Sequence, residues 1–111
     1  MAPTPNFTVV YGDVLVNGQP APTGTRVEII TPRGELAGYF ELSQPGVLGY
    51  THVYGAEGET GGFLEGDILT FRVNGLPVEP AQTLTWTNDY DLHEIQLIVN
   101  IRAFYLPLIH K

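Results

Sequence analysis

Between clusters of Gly, Pro, Asn and Asp, the apolar residues of this chain recur at every second position, and no helical i, i+3, i+4, i+7 stripe persists anywhere. The pattern predicts strands over residues 7–16, 25–31, 36–42, 47–54, 67–73, 82–87 and 93–101. In the fifth of these, Leu69, Phe71 and Val73 take one parity while Thr70 and Arg72 take the other. In the sixth, Leu84 and Trp86 alternate with Thr83, Thr85 and Thr87, and in the seventh Ile95, Leu97 and Val99 repeat the arrangement. Each apolar set must face a common interior, because sliding a strand by one residue would turn the whole set into water. Trp86 is expected in that interior.

The turns follow from residue chemistry. Asn17-Gly18 and Asn74-Gly75 tolerate positive φ, and Pro32-Arg33-Gly34 suits a tight turn between the second and third strands. Residues 12–20 (GDVLVNGQP) and 66–77 (GDILTFRVNGLP) echo each other. The segments between them do not match, so a shared way of ending a strand explains the echo better than duplication. Seven short strands divided by such turns match an all-β, Greek-key β-sandwich.

The chain has 111 residues, which fits one domain with its own hydrophobic core. It has no cysteine, which excludes disulfide scaffolds, thiolate zinc sites and cysteine nucleophiles. Twelve acidic against five basic residues give a net charge of −7, which argues against nucleic acid as a partner, since neutralising phosphates takes clustered Lys and Arg. No apolar run is long enough to predict a membrane span, and the start, MAPTPNF, lacks the basic and apolar regions of a signal peptide. Residues 1–6 read as the end of a Pro/Thr linker, 7–101 as the sandwich and 102–111 as an apolar tail.

The stretch Gly12-Asp13-Val14-Leu15-Val16-Asn17-Gly18-Gln19-Pro20-Ala21-Pro22, followed by Gly24-Thr25-Arg26-Val27-Glu28, resembles the opening of bacterial immunoglobulin-like modules of the carboxypeptidase-regulatory-like and CnaB-like kind. Gly66-Asp67-Ile68-Leu69-Thr70-Phe71-Arg72-Val73-Asn74-Gly75 is similar to their later strand. The resemblance spans residues 7–100. It implies an immunoglobulin-like sandwich in a secreted or cell-surface protein, serving as a non-catalytic spacer, adhesion unit or sugar-binding accessory. Some relatives carry a Lys-to-Asn or Lys-to-Asp isopeptide cross-link. Here the one lysine is Lys111, so a cross-link inside the sandwich is not expected.

Candidate chemistry is sparse. A nucleophile system would need Ser43, which sits in the turn-like Leu42-Ser43-Gln44-Pro45-Gly46 without an elbow motif. Glu57, Glu59 and Glu65 share a Gly-rich loop, and His52, His93 and His110 are dispersed. An enzyme is therefore not expected, and no cofactor is called for. Asn88-Asp89-Tyr90-Asp91-Leu92-His93-Glu94 is dense in oxygen ligands; calcium binding there stands as the alternative to a plain acidic turn. Tyr50, Tyr54 and Tyr90 are candidates for stacking against sugar rings. Tyr50 and Tyr54 share parity with His52, but Leu48 shares it too, so strand parity leaves open whether this stripe faces solvent or core.

The tail is more apolar than a solvated terminus. Phe104, Tyr105, Leu106, Leu108 and Ile109 are expected to dock, either as an eighth edge strand on the same sandwich or on a second copy by strand addition. Pro107 restricts such a strand to a sheet edge. The partners expected are proteins or a second copy, with carbohydrate as the alternative.

Overall fold

The computed structural model describes residues 2–100. Among them no residue is helical, so no helix is long and apolar enough to cross a membrane. The strands are β1 (Phe7–Val16), β2 (Gln19–Pro20), β3 (Arg26–Ile30), β4 (Leu36–Glu41), β5 (Val47–Tyr54), β6 (Thr70–Val73), β7 (Leu76–Val78) and β8 (Leu92–Val99).

They form two sheets. In sheet A, β1 is central: β5 and the short β2 run antiparallel to it, and β8 runs parallel to it. Sheet B is antiparallel throughout, in the order β4-β3-β6-β7. The inward pleats meet in one core, built by Val10, Val14, Leu48, Val53, Ile95 and Leu97 from sheet A and by Val27, Ile29, Phe71 and Val73 from sheet B. At about 1.5–3 kcal/mol per buried large side chain, this shared interior is the main force holding the layers together. The all-β, two-layer arrangement is compatible with a β-sandwich. Trp86 lies in the core, and its indole Nε1–H donates to the Val53 carbonyl at 2.9 Å, which satisfies its polar handle.

The two Asn-Gly pairs behave alike. Asn17 and Gly18 have φ of 52° and 80°, and Asn74 and Gly75 have 48° and 84°. Positive φ at both central positions is the signature of the tight hairpin turn that matches strand twist. The internal echo is thus one hairpin solution used once in each sheet: β1 to β2 in A, and β6 to β7 in B. The returning strands, of 2 and 3 residues, are too short to carry a periodic signal.

One expected strand is not regular. Residues 82–87 keep their alternation, with Trp86 buried and Thr83, Thr85 and Thr87 exposed, but they pair with 66–69 through a single bridge, Ile68 to Thr85. The Leu69 amide donates to Leu84 O (2.9 Å), and the Trp86 amide donates to Asp67 O (2.7 Å). A ladder cannot extend because the partner segment turns at Gly66, where φ is 90°. That turn is held by Arg33, whose Nη2 donates to Gly62 O and to Asp67 Oδ2, each at 2.9 Å. The Arg33 hydrogen bond, helped by the Leu64 amide, keeps the Asp67 carboxyl below its usual range. Within the expected linker, Thr4 Oγ1 donates to Gly55 O (2.7 Å) and Asn6 Nδ2 to Ala56 O (3.1 Å), tying these residues to the same end of the molecule.

Sheet A carries a bulge between β1 and β5. The register passes from Val10↔Thr51 to Gly12↔Leu48, so β5 has one residue more than β1 across this step. Gly12 has φ of 148°, and a Cβ there would lie 1.8 Å from Ile95 O. No other residue type allows β1 and β8 to approach so closely at this point.

Candidate functional site

The bulge settles the parity question in β5. Leu48 points inward and is 1% exposed, yet Thr51 and Val53 are also buried, so the alternation slips by one between them. Tyr50, His52 and Tyr54 therefore lie on the outer pleat. On β1 the inward positions are Thr8, Val10, Gly12 and Val14, which leaves Phe7, Val9, Tyr11, Asp13 and Leu15 outward. On β8, Ile95, Leu97 and Val99 are inward, leaving Leu92, Glu94, Gln96 and Ile98 outward.

Cross-strand register arranges these residues in rows. Tyr54 stands opposite Phe7, His52 opposite Val9, and Val47 opposite Asp13. On the other side of β1, Val9 faces Leu92, Tyr11 faces Glu94, Asp13 faces Gln96, and Leu15 faces Ile98. Tyr50 joins the row of Tyr11 and Glu94 through an edge-to-face contact with Tyr11, ring centroids 5.3 Å apart. Phe7 lies 4.6 Å from His52, 6.4 Å from Tyr54 and 4.8 Å from Tyr90, and His52 stacks on Tyr54 at 5.8 Å. The structure thus brings the three sugar-stacking candidates, Tyr50, Tyr54 and Tyr90, to one side of one sheet. Tyr50 is 67% exposed and Tyr90 56%, whereas Tyr54 is partly sheltered by its ring neighbours.

Tyr90 reaches this face by an uncommon route. Its φ is 55°, a left-handed conformation costly for a bulky side chain, and its amide donates to Phe7 O at 3.0 Å. Asp89 braces the turn beneath it. Its carboxylate accepts hydrogen bonds from Thr8 Oγ1 (2.8 Å), Thr87 Oγ1 (3.0 Å) and the Asp91 amide (3.0 Å), and lies 2.8 Å from His93 Nε2. Partial burial alone would raise the Asp89 carboxyl, but these four partners outweigh it and hold the group down at about 2.

Residues 88–94, weighed as a calcium loop, are tied into this turn through Asp89. Both Asp89 oxygens are committed to protein donors, and among the described residues no three of His, Asp and Glu group closely enough to hold a metal ion. The Glu57, Glu59 and Glu65 loop does not converge either. Glu57 Oε1 accepts from Asn6 Nδ2 at 2.8 Å, Glu65 Oε2 accepts from the Asn88 amide at 2.9 Å, and Glu59 sits exposed at the tip of a turn. Ser43 is exposed in the β4–β5 connection beside Val14, at the opposite end of β1 from the His93–Asp89 pair beside Thr8. A groove of about 460 Å³ on the far side, lined by Ile68, Phe71, Val78, Pro80 and Thr83, has Glu79 as its one ionisable group.

Phe104, Tyr105, Leu106, Leu108 and Ile109, expected to dock, lie outside the described residues. The residues that sequence reasoning missed are Phe7, Tyr11, Leu92 and Glu94. Their signal was present: Phe7, Val9 and Tyr11 alternate with the inward set on β1, but parity alone does not say that neighbouring strands add rings to the same pleat. No protein-family model, no curated protein and no solved structure matches the chain. What it does must be read from its surface chemistry.

Proposed function

We propose that the chain is a non-catalytic structural or adhesion module, an immunoglobulin-like Greek-key sandwich working outside the cell, that holds its partner on the outer face of sheet A. One observation carries this reading: six rings, Phe7, Tyr11, Tyr50, His52, Tyr54 and Tyr90, meet on that pleat with Tyr50 and Tyr90 well exposed. A sheet needs only its inner pleat apolar in order to fold; rings clustered on the outer one suit recognition. The positive φ at Tyr90 supports the same reading, because strained backbone positions gather at recognition surfaces. The distance between Ser43 and the His93–Asp89 pair supports the non-catalytic part.

The test is retention of the chain on arrays of polysaccharides and surface proteins, compared with a Tyr50→Ala, Tyr90→Gly double variant. Retention that the variant loses is expected. Equal retention by both chains refutes the assignment of this face. Self-association through residues 101–111 belongs to the same proposal: light scattering should give a larger mass for the full chain than for one ending at residue 100. Equal monomeric masses remove it.

A second reading, carbohydrate binding, is favoured by Tyr50 and Tyr90 specifically, since exposed tyrosine faces on one pleat suit stacking against sugar rings. Binding confined to glycan spots and lost in the double variant would promote it.

A further inference from the structure

We infer that the partner of the outer face of sheet A is a basic polypeptide segment, one presenting arginine or lysine side chains; this rests on the proposed use of that face. The charge distribution carries the inference. All 12 acidic residues lie within residues 2–100, while of the 5 basic residues Arg102 and Lys111 lie outside the described part, which leaves Arg26, Arg33 and Arg72. None of these three is on sheet A. Arg26 pairs with Glu28 at 3.6 Å and lies over the Tyr39 ring, Arg33 binds Asp67 at 2.9 Å, and Arg72 stands opposite Glu28 on β6.

The outer face of sheet A therefore combines ring faces with carboxylates that no cation among the described residues offsets. Glu94 sits in the row of Tyr50 and Tyr11, and Asp13 sits one row below between Val47 and Gln96; neither has an ion-pair partner among the described residues. Aromatic faces carry negative quadrupoles, and a guanidinium or ammonium placed over them beside a carboxylate gains from both. A neutral sugar would use the rings but leave the carboxylates uncompensated, and an acidic partner would be repelled. The size of the face points to polypeptide over a small cation: outward positions from Phe7 to Leu15 span roughly 27 Å at about 6.7 Å per pair of residues, the reach of an extended segment.

The experiment is calorimetric titration of the full chain with three probes: an alternating Gly-Arg peptide, an alternating Gly-Glu peptide and cellohexaose. The Gly-Arg peptide is expected to bind alone among the three, and about tenfold more weakly at high salt than at low salt. Tyr50→Ala should weaken it about tenfold and Glu94→Gln about threefold, while Tyr50→Phe, which keeps the ring, should not. Glu41→Gln makes the same charge change on sheet B and should alter affinity less than about twofold. An equal loss in Glu41→Gln and Glu94→Gln would mean general attraction to an acidic protein and would overturn the inference. Salt-independent binding of cellohexaose through Tyr50, with no binding of Gly-Arg, would overturn it while leaving the binding face intact. If no probe depends on Tyr50, both the inference and the face assignment fall.

Discussion

The two sheets share an inward grammar and differ outward. On sheet B the outer pleat carries Arg26, Glu28, Tyr39, Glu41 and Arg72, and it answers its own charges: Arg26 lies 4.8 Å over the Tyr39 ring and 3.6 Å from Glu28, and the Tyr39 hydroxyl donates to Glu41 Oε1 at 3.1 Å. On sheet A the outer pleat carries six rings, two carboxylates with no ion-pair partner among the described residues, and the exposed apolar residues Val47, Leu92 and Ile98. Both pleats face water, and folding demands nothing from either beyond β-propensity. Among the described residues, the charges of the first are answered internally and those of the second are not. The proposed use of face A rests on that difference more than on any single residue.

The largest test of the contrast strikes the scaffold of face A. Gly12→Ala places a methyl 1.8 Å from Ile95 O in a backbone of φ 148°, and should cost at least about 3 kcal/mol in denaturant unfolding. Gly34→Ala, in the β3–β4 turn of sheet B, has positive φ but open space around it, and should cost only about 1 kcal/mol. Similar losses at the two sites would show that the close approach of β1 and β8 is not what shapes face A.

Next comes the brace under Tyr90. The Asp89 carboxyl is lowered in the folded chain, so its contribution is complete above the ordinary aspartate range near pH 4 and is lost as pH falls through about 2. Asp89→Asn should lower stability at neutral pH by about 1–2 kcal/mol and flatten the acid limb of a stability–pH curve. Glu41→Gln on sheet B should change neither by more than about 0.5 kcal/mol. An unaltered acid limb in Asp89→Asn would remove the brace from the account.

A smaller effect on stability but a direct one on function is expected from paired ring removals. Tyr50→Ala and Tyr39→Ala should each cost less than about 1 kcal/mol by thermal melting, yet only Tyr50→Ala should abolish retention on the array. The smallest change should be Tyr90→Gly. Relief of the left-handed strain offsets the lost contact with Phe7, leaving stability within about 0.5 kcal/mol of the parent while binding falls.

Much of this architecture was legible along the chain. Leu69, Phe71 and Val73, and again Ile95, Leu97 and Val99, could be assigned to the interior by alternation, and both Asn-Gly hairpins by the φ they permit. The strand expected at 82–87 failed because a strand needs a partner as well as a pattern, and its partner turns at Gly66. The candidate face was half visible. Tyr50, Tyr54 and Tyr90 stood out as aromatic, but Leu48 shares the parity of Tyr50 and Tyr54, and a bulge leaves no periodic trace.

Sequence alone therefore determined most of the extended segments, the inward sets of β6 and β8, and the two Asn-Gly reversals, because alternation and backbone permissiveness are local properties of the residues. Tertiary structure decided that β8 lies parallel to β1, that one extra residue in β5 turns Tyr50, His52 and Tyr54 outward, and that Phe7, Tyr11 and Glu94 join them. Those outcomes depend on register between residues 34 to 83 positions apart, and register is set by how distant strands pack, not by what any one of them prefers.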